Sequence, residues 1–160
     1  MRAKIGHGYD VHALTQGSGF VLGGIEIPCD KAIVAHSDGD VLIHALSDAL
    51  LGALGRGDIG RLFPDSDAVN ENRDSREFLH AVKRLIDQDG FRLGNADITV
   101  ILQAPKMAPH VEAMKLALAQ VLDCPQGIIN IKATTTEKLG FIGREEGIAV
   151  EAVVMLEPVR

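Results

Sequence analysis

The chain has 160 residues, 46% of them hydrophobic, and a formal charge of −6 at pH 7. That apolar content fills one core of ordinary domain size and excludes a globally disordered chain. The acidic balance excludes a bulk electrostatic grip on nucleic acid or an anionic membrane, so an anionic ligand needs local partners: a metal ion, a few Lys or Arg, or helix N-termini. No apolar run reaches membrane-spanning length, and "MRAKIGHGYD" has no apolar stretch of a secretory leader, so a soluble, cytoplasmic protein is the expectation. The two cysteines, Cys29 and Cys124, form no spaced framework and read as free thiols in a reducing compartment.

In chain order, residues 4–12 read as a strand. "FVLGGIEIP" reads as two short strands joined at Gly23-Gly24. Gly39 and Asp40 open a helix to about Leu54, with Val41, Leu42, Ala45, Leu46, Ala49 and Leu50 at helical spacing. Ser37 followed by Asp40 resembles a capping box, with Asp in place of Glu. Residues 55–73 read as a loop. A second helix carries Phe78, Leu79, Val82, Leu85 and Ile86 on one face and stops at Gly90. "ADITVILQ" alternates as a half-buried strand does, "APKMAP" is a loop, and a third helix runs from about His110 to Leu122. "GIINIKA" and "GIAVEAVVML" are strands, and the latter is apolar on both faces apart from Glu151, which suits a central strand or one covered by another subunit. The expectation is a single α+β domain over residues 1–160, an α/β sandwich with helices packed on one face of a mixed sheet.

The chemistry starts at "GYDVHAL". Residues two apart on a strand share a face, so Asp10 and His12 point together while His7 points away. Asp40, His44 and Asp48 stand four apart and make one polar stripe on an otherwise apolar helix. One carboxylate and two imidazoles form a three-ligand set that suits Zn²⁺ with its fourth position open. A satisfied polar pair on the strand and a half-buried helix histidine meet the same spacing, because nothing in it joins the two segments. Asp48 is a candidate to accept a hydrogen bond from a ligand imidazole and orient it, and the helix N-terminus beside the metal is a candidate phosphate seat.

Three further clusters are polar. Asp58, Asp65 and Asp67 share one Gly-containing loop, equally a solvated loop with side-chain turns. Lys106 follows a strand in a Pro-bracketed loop, and Thr134, Thr135, Thr136 and Glu137 close another strand, where Thr is common for its own sake. Phe141 and Arg144 also serve as plain turn residues. A metal-dependent phosphohydrolase and a non-catalytic binding module are the alternative functions these residues allow.

Taken together, "GHGYDVHAL", "AHSDGDVLIHALSDALLGALGRGDIGRLFPDSD", "DSRE", "QAPKM" and "KATTTEKLGFIGREEGIA" resemble the 2-C-methyl-D-erythritol 2,4-cyclodiphosphate synthase family, in order from about residue 4 to the C-terminus. One departure is Tyr9, where the family often has Phe. The resemblance implies a lyase of non-mevalonate isoprenoid biosynthesis. The 2-phosphate of 4-diphosphocytidyl-2-C-methyl-D-erythritol 2-phosphate attacks the β-phosphorus of its own diphosphate, and CMP leaves. It also implies a homotrimer with sheets around a threefold axis and active sites between adjacent subunits, with neither nucleic acid nor membrane as partner.

By the same resemblance Asp10, His12 and His44 are Zn²⁺ ligands, one ion per subunit, and Glu137 is the protein ligand of a Mg²⁺ or Mn²⁺ ion that accompanies the substrate. His36 and Thr135 are the catalytic donors to the transition state. Ser37, Asp58, Ile59 and Gly60, with the loop Phe63, Pro64, Asp65, Ser66 and Asp67, line the methylerythritol side. Leu102, Gln103, Ala104, Pro105, Lys106, Met107 and Ala108 form the cytidine and phosphate pocket. Ala133, Thr134 and Thr136 belong to that wall, and Phe141 and Arg144 lie at the substrate rim and the threefold channel.

Overall fold

The computed structural model describes residues 2–159. Five strands form one sheet: β1 (Lys4–Gln16), β4 (Lys31–Ile33), β5 (Phe91–Ile101), β6 (Ile129–Thr134) and β7 (Gly147–Pro158), in the order β4-β1-β7-β5-β6. β5 and β6 run parallel, and the other neighbours are antiparallel, so the sheet is mixed as the sequence implies. β2 (Phe20–Leu22) and β3 (Ile25–Ile27) form a separate hairpin across Gly23-Gly24. The long helices α1 (Val41–Leu54), α3 (Ser75–Gln88) and α4 (Val111–Leu122) cover one face of the sheet.

The other face is open. Ile98, Val100, Ile148, Val150, Ala152, Val154 and Leu156 point into the core, while the alternate positions Ile5, Tyr9, Val11 and Val153 are 74%, 48%, 43% and 46% exposed. His7 lies on that open face, opposite to Asp10 and His12, as strand parity requires.

α1 packs on β1 and β7 with α3 beside it, and every residue in it is buried except His44, Asp48 and Gly52. A helix apolar all round belongs in a core, and each wholly buried Leu here stabilises by about 1.5–3 kcal/mol relative to exposure. The helix comes so close to β1 that only glycine fits beneath it. A Cβ on Gly8 would lie 1.9 Å from the Ala45 carbonyl oxygen, and one on Gly6 would lie 1.8 Å from that of Ala49. Both partners on the helix are alanines, which keeps the facing surface flat.

Some expectations change. There is no Ser37–Asp40 capping box: Asp40 is itself the N-cap, accepting from the Ile43 N–H at 3.0 Å, and Ser37 Oγ accepts from Gly39 N–H at 3.3 Å. Asp40 is wholly buried and also accepts from Gly23 N–H at 2.9 Å and Gly24 N–H at 2.7 Å, so it ties the β2–β3 hairpin to α1. Burial pushes its carboxyl above the usual range, against the pull of those N–H donors. Its side chain already occupies the N-terminal end of α1, where Val41, Leu42 and Ile43 are wholly buried, so that helix end is not a free phosphate seat. Residues 55–73, expected as loop, contain one helical turn, α2 (Ile59–Leu62), and a 3-10 turn at Ala68–Asn70; α5 (Gly140–Gly143) is another single turn. β1 also continues past residue 12, to Gln16, where it pairs with β4.

The close approach is testable. Gly8→Ala should destabilise by about 1–3 kcal/mol in urea unfolding, because the helix must back away from the strand. Gly127→Ala, where an added Cβ meets nothing within 4 Å, should stay within about 0.5 kcal/mol of wild type. Equal effects at the two positions would show that the contact is not tight.

Candidate metal centre and active-site cavity

β1 puts Asp10 and His12 on its helix-facing side, and α1, pressed against Gly6 and Gly8, brings His44 over them. His12 Nε2 lies 3.0 Å and His44 Nδ1 3.2 Å from the same Asp10 oxygen, Oδ2. One ligand atom from each of the three residues lies within 4.8 Å of the other two. Ligands about 2.0–2.1 Å from a tetrahedral ion stand about 3.3 Å apart, so this donor set fits a metal ion of that kind. The strand and the helix that spacing could not join do meet here.

Burial raises the Asp10 carboxyl, but its hydrogen bonds with His12 and His44 outweigh burial and bring it down to about 2. The hydrogen bond to Asp10 in turn raises the His12 imidazole, against burial. His12 Nδ1 lies 3.3 Å from the Val34 carbonyl, which orients the ring with Nε2 toward Asp10. Asp48 does not do what the sequence suggested. Its carboxylate accepts from the Ile59 N–H at 2.8 Å and so anchors α2, rather than meeting an imidazole. The reason is geometric: one helical turn beyond His44, it faces the α2 turn that folds back over α1. The outer nitrogen of His44, Nε2, instead lies 3.0 Å from Ser75 Oγ and 3.3 Å from Ser37 Oγ.

Asp10, His12 and His44 form one wall of a cavity of about 340 Å³. His36, Ser37, Ile59, Gly60, Phe63 and Asp65 line it too, so this part of the expected substrate side is gathered around the triad. Asp58 lies beside it as the N-cap of α2, and Asp67 caps the following 3-10 turn. Pro64 and Ser66 belong to the same loop without lining the cavity; the Pro64 carbonyl accepts from Asn70 Nδ2 at 3.0 Å. Val34, Ala35, Asn70 and Phe78 also line it and were not foreseen as site residues. Phe78 did show in the sequence as a core-face position. It packs on Phe63 with ring centroids 4.6 Å apart, and the Arg73 guanidinium sits 5.2 Å from its ring centre, bringing a cation to the rim.

Most of the remaining expected residues lie together at the β5–β6 side of the sheet. Thr134 ends β6, its carbonyl accepts from Leu102 N–H at 3.0 Å, and Gln103 Oε1 accepts from Lys138 N–H at 3.1 Å. Glu137 and Lys138 have φ of 54° and 63°, an unusual pair of left-handed residues that holds the exposed Glu137 in a tight turn. Thr135 Oγ1 supports the turn by accepting from Glu137 N–H at 3.1 Å. Lys106, Ala108, Ala133 and Thr135 are exposed, whereas Leu102 and Met107 turn their side chains into the core and leave only backbone to a ligand. Ala104 and Pro105 lie between them, half-buried, and Thr136 Oγ1 donates to the Leu139 carbonyl at 2.7 Å. Phe141 packs over Gly147, and Arg144 donates to Glu146 at 2.8 Å.

The two clusters share one end of the sheet but not one place. Asp10 pairs with Val150, Val150 with Val100, and Val100 with Ala133. Three strand spacings put them about 14 Å apart.

The electrostatics of the triad predict a pH window for the metal-free protein. The lowered Asp10 carboxyl contributes stability above its ordinary 3.8 that is lost as pH falls toward about 2. The raised His12 imidazole contributes stability below 6.5 that is lost as pH rises through its folded value. The stability difference between wild type and Asp10→Asn in urea, with chelator present, should therefore be largest between about pH 4 and 6.5 and shrink on both sides. A difference independent of pH would exclude this ion pair.

Known proteins resemble the chain along nearly its whole length. The YgbB family profile matches residues 3–157. A 2-C-methyl-D-erythritol 2,4-cyclodiphosphate synthase from Thioalkalivibrio sulfidiphilus is 60% identical over 154 residues, covering 96% of each chain. Among solved structures, the bifunctional IspDF from Campylobacter jejuni aligns with a TM-score of 0.94 and 46% identity over 98% of this chain, which spans 42% of that longer one. The CDP complex of IspF from Plasmodium falciparum aligns with a TM-score of 0.88 and 35% identity, over 99% of this chain and 97% of the other. The chain belongs to the YgbB family, and its close relatives there carry the name 2-C-methyl-D-erythritol 2,4-cyclodiphosphate synthase.

Proposed function

We propose that this chain is a phosphorus–oxygen lyase that converts 4-diphosphocytidyl-2-C-methyl-D-erythritol 2-phosphate to 2-C-methyl-D-erythritol 2,4-cyclodiphosphate, releasing CMP. The observation that carries the reading is the Asp10–His12–His44 triad in the wall of a cavity, in a chain 60% identical to a synthase of that name. A 2-phosphate oxygen bonds to the β-phosphorus, the bond from that phosphorus to the bridging oxygen breaks, and CMP leaves with the oxygen. No water is consumed. The obstacle is repulsion between two anionic phosphates, so the site has to hold them in line and offset their charge.

In this reading Asp10, His12 and His44 hold Zn²⁺, which supplies Lewis-acid polarisation of a phosphate oxygen when bound. Nitrogen-rich ligation suits Zn²⁺, and the exposed Glu137 carboxylate suits a Mg²⁺ or Mn²⁺ ion brought in with the diphosphate. His36 and Ser37 lie on the loop beside the triad and donate hydrogen bonds to the phosphates. Ile59, Gly60, Phe63 and Asp65 enclose the methylerythritol carbons and hydroxyls. Lys106 and Thr134 to Thr136 bind the nucleotide end, with Thr135 donating to the transition state. The CDP bound in the relative from Plasmodium falciparum supports a cytidine-diphosphate substrate.

We further propose a homotrimer whose open sheet faces meet at its centre. Exposed Ile5, Tyr9, Val11 and Val153 give that face an apolar surface of the kind interfaces cover. The separation of about 14 Å across the sheet supports a site assembled from the zinc half of one subunit and the nucleotide half of its neighbour. Among the described residues no helix is long and apolar enough to cross a membrane, which is compatible with a cytoplasmic location.

Mass analysis of products tests the reaction. CMP with a cyclic diphosphate is expected, and a chelator should abolish both; inorganic phosphate with a linear product would make the protein a hydrolase. Mixing tests the shared site. His44→Ala and Lys106→Ala proteins should each be nearly inactive, and trimers re-formed from the two should regain a fraction of wild-type activity. In a mixed trimer one interface pairs two intact halves. No recovery, with mixed trimers verified by native mass spectrometry, would place the whole site within one chain.

A further inference from the structure

His44 has two ring nitrogens, and only one of them is available to a metal at a time. Nδ1 faces Asp10, while Nε2 points the other way, to Ser75 Oγ at 3.0 Å. Ser75 is the first residue of α3, wholly buried, and has no place in the cavity lining. Its surroundings fix the direction of its proton. The Asp38 carboxylate accepts from the Ser75 hydroxyl through Oδ1 and from the Ser75 backbone N–H through Oδ2 at 3.0 Å. The same Oδ1 accepts from Asp40 N–H at 3.1 Å. An ionised carboxylate only accepts, and a hydroxyl has a single proton to give. That proton goes to Asp38, so toward His44 the Ser75 oxygen is an acceptor.

We propose that Ser75 is a positioning residue for His44: with its own proton held by Asp38, it accepts the Nε2–H proton and leaves the Nδ1 lone pair directed at the metal. The inference rests on the zinc reading above and adds what selects the liganding nitrogen. A neutral imidazole carries its proton on one nitrogen, so holding it at Nε2 decides that Nδ1 is the ligand. With the Nε2 proton so held, a cation that takes the place of the Nδ1 proton between Nδ1 and Asp10 Oδ2, 3.2 Å apart, is met by a lone pair from each. Ser37 Oγ, at 3.3 Å, is the farther neighbour of Nε2. The device is braced by the backbone: Asp38 N–H donates to the Arg73 carbonyl at 3.2 Å and Asn72 N–H to the His36 carbonyl at 2.6 Å. The segment before α3 is thereby stapled to the loop that carries His36 and Ser37.

The test uses the full-length protein with two readouts besides turnover. The first is zinc affinity, by competition with a chromogenic chelator. The second is nitrogen-15 NMR of the zinc-loaded protein with labelled histidine, which identifies the His44 Nε2 proton and its exchange with water. Wild type should show that proton protected from exchange. Ser75→Ala should expose it to exchange and weaken zinc binding by about 10–100-fold, and Ser75→Thr, which keeps a hydroxyl, should recover most of the affinity. If Ser75→Ala does not fold, Asp38→Asn decides: replacing one acceptor oxygen by a donor should weaken zinc and deprotect the proton in the same direction. Lowered thermal stability with zinc affinity within twofold of wild type would overturn the proposal, as would a freely exchanging Nε2 proton in wild type. A wild-type protein that binds no zinc would instead overturn the metal reading on which this inference rests.

Discussion

The contact of α1 with β1 at Gly6 and Gly8 is the constraint on which the rest of the site depends. A helix normally rests on a sheet through side chains from both surfaces. Here the Ala45 and Ala49 carbonyls lie where a Cβ of Gly8 or Gly6 would stand, so helix and strand backbones nearly touch. His44 directly precedes Ala45, and Asp10 and His12 follow Gly8 on the same face of the strand. The short distance from His44 Nδ1 to Asp10 is therefore a consequence of packing chosen several residues away. With ordinary side chains at Gly6 and Gly8 the helix would sit farther out, and the three ligand atoms would no longer fit around one ion.

Around that contact the protein arranges charge economically. One Asp10 oxygen serves both imidazoles, which keeps it ionised at any physiological pH despite partial burial. Two other carboxylates near α1 have structural tasks. Asp40 closes the helix N-terminus and holds the β2–β3 hairpin, and Asp48 fastens α2 at the cavity floor. Asp38 makes a third link by joining the His36–Ser37 loop to the start of α3. Each acid is anchored by backbone N–H donors, so the loops around the cavity are held in place before any ligand arrives. That preorganisation suits a reaction whose main difficulty is to bring two phosphates together.

The sheet adds a division of labour. Its helix-covered face carries the core and the triad, and its bare face carries exposed apolar side chains. Its far edge holds the turn of Glu137 and Lys138 with the Lys106 loop. A rigid sheet cannot fold the second cluster onto the first. In the proposed trimer, contact between chains would bring the second cluster of one subunit to the triad of its neighbour, and the bare apolar face would be covered at its centre.

The sequence by itself determined the elements whose signals are local. Period-two alternation marked β5, and helical periodicity marked α1, α3 and α4. The parity of β1 separated Asp10 and His12 from His7, and linked motifs along the chain pointed to the family. It misjudged features in which one segment depends on a distant one. Asp48 looked like a partner for an imidazole because it lies one turn from His44, but the α2 turn claimed its carboxylate. Ser37 looked like a helix cap until Asp40, held by the hairpin glycines, took that position. Ser75 stood only inside the motif "DSRE", with no role attached to it. Spacing along a chain specifies which side chains share a face, because backbone geometry is periodic. It does not specify how near two elements come, since that distance is set by the side chains between them, and here by their absence at Gly6 and Gly8. Only the tertiary structure decided that a strand pair and a helix histidine meet around one point, and that a serine from a third element stands behind the histidine.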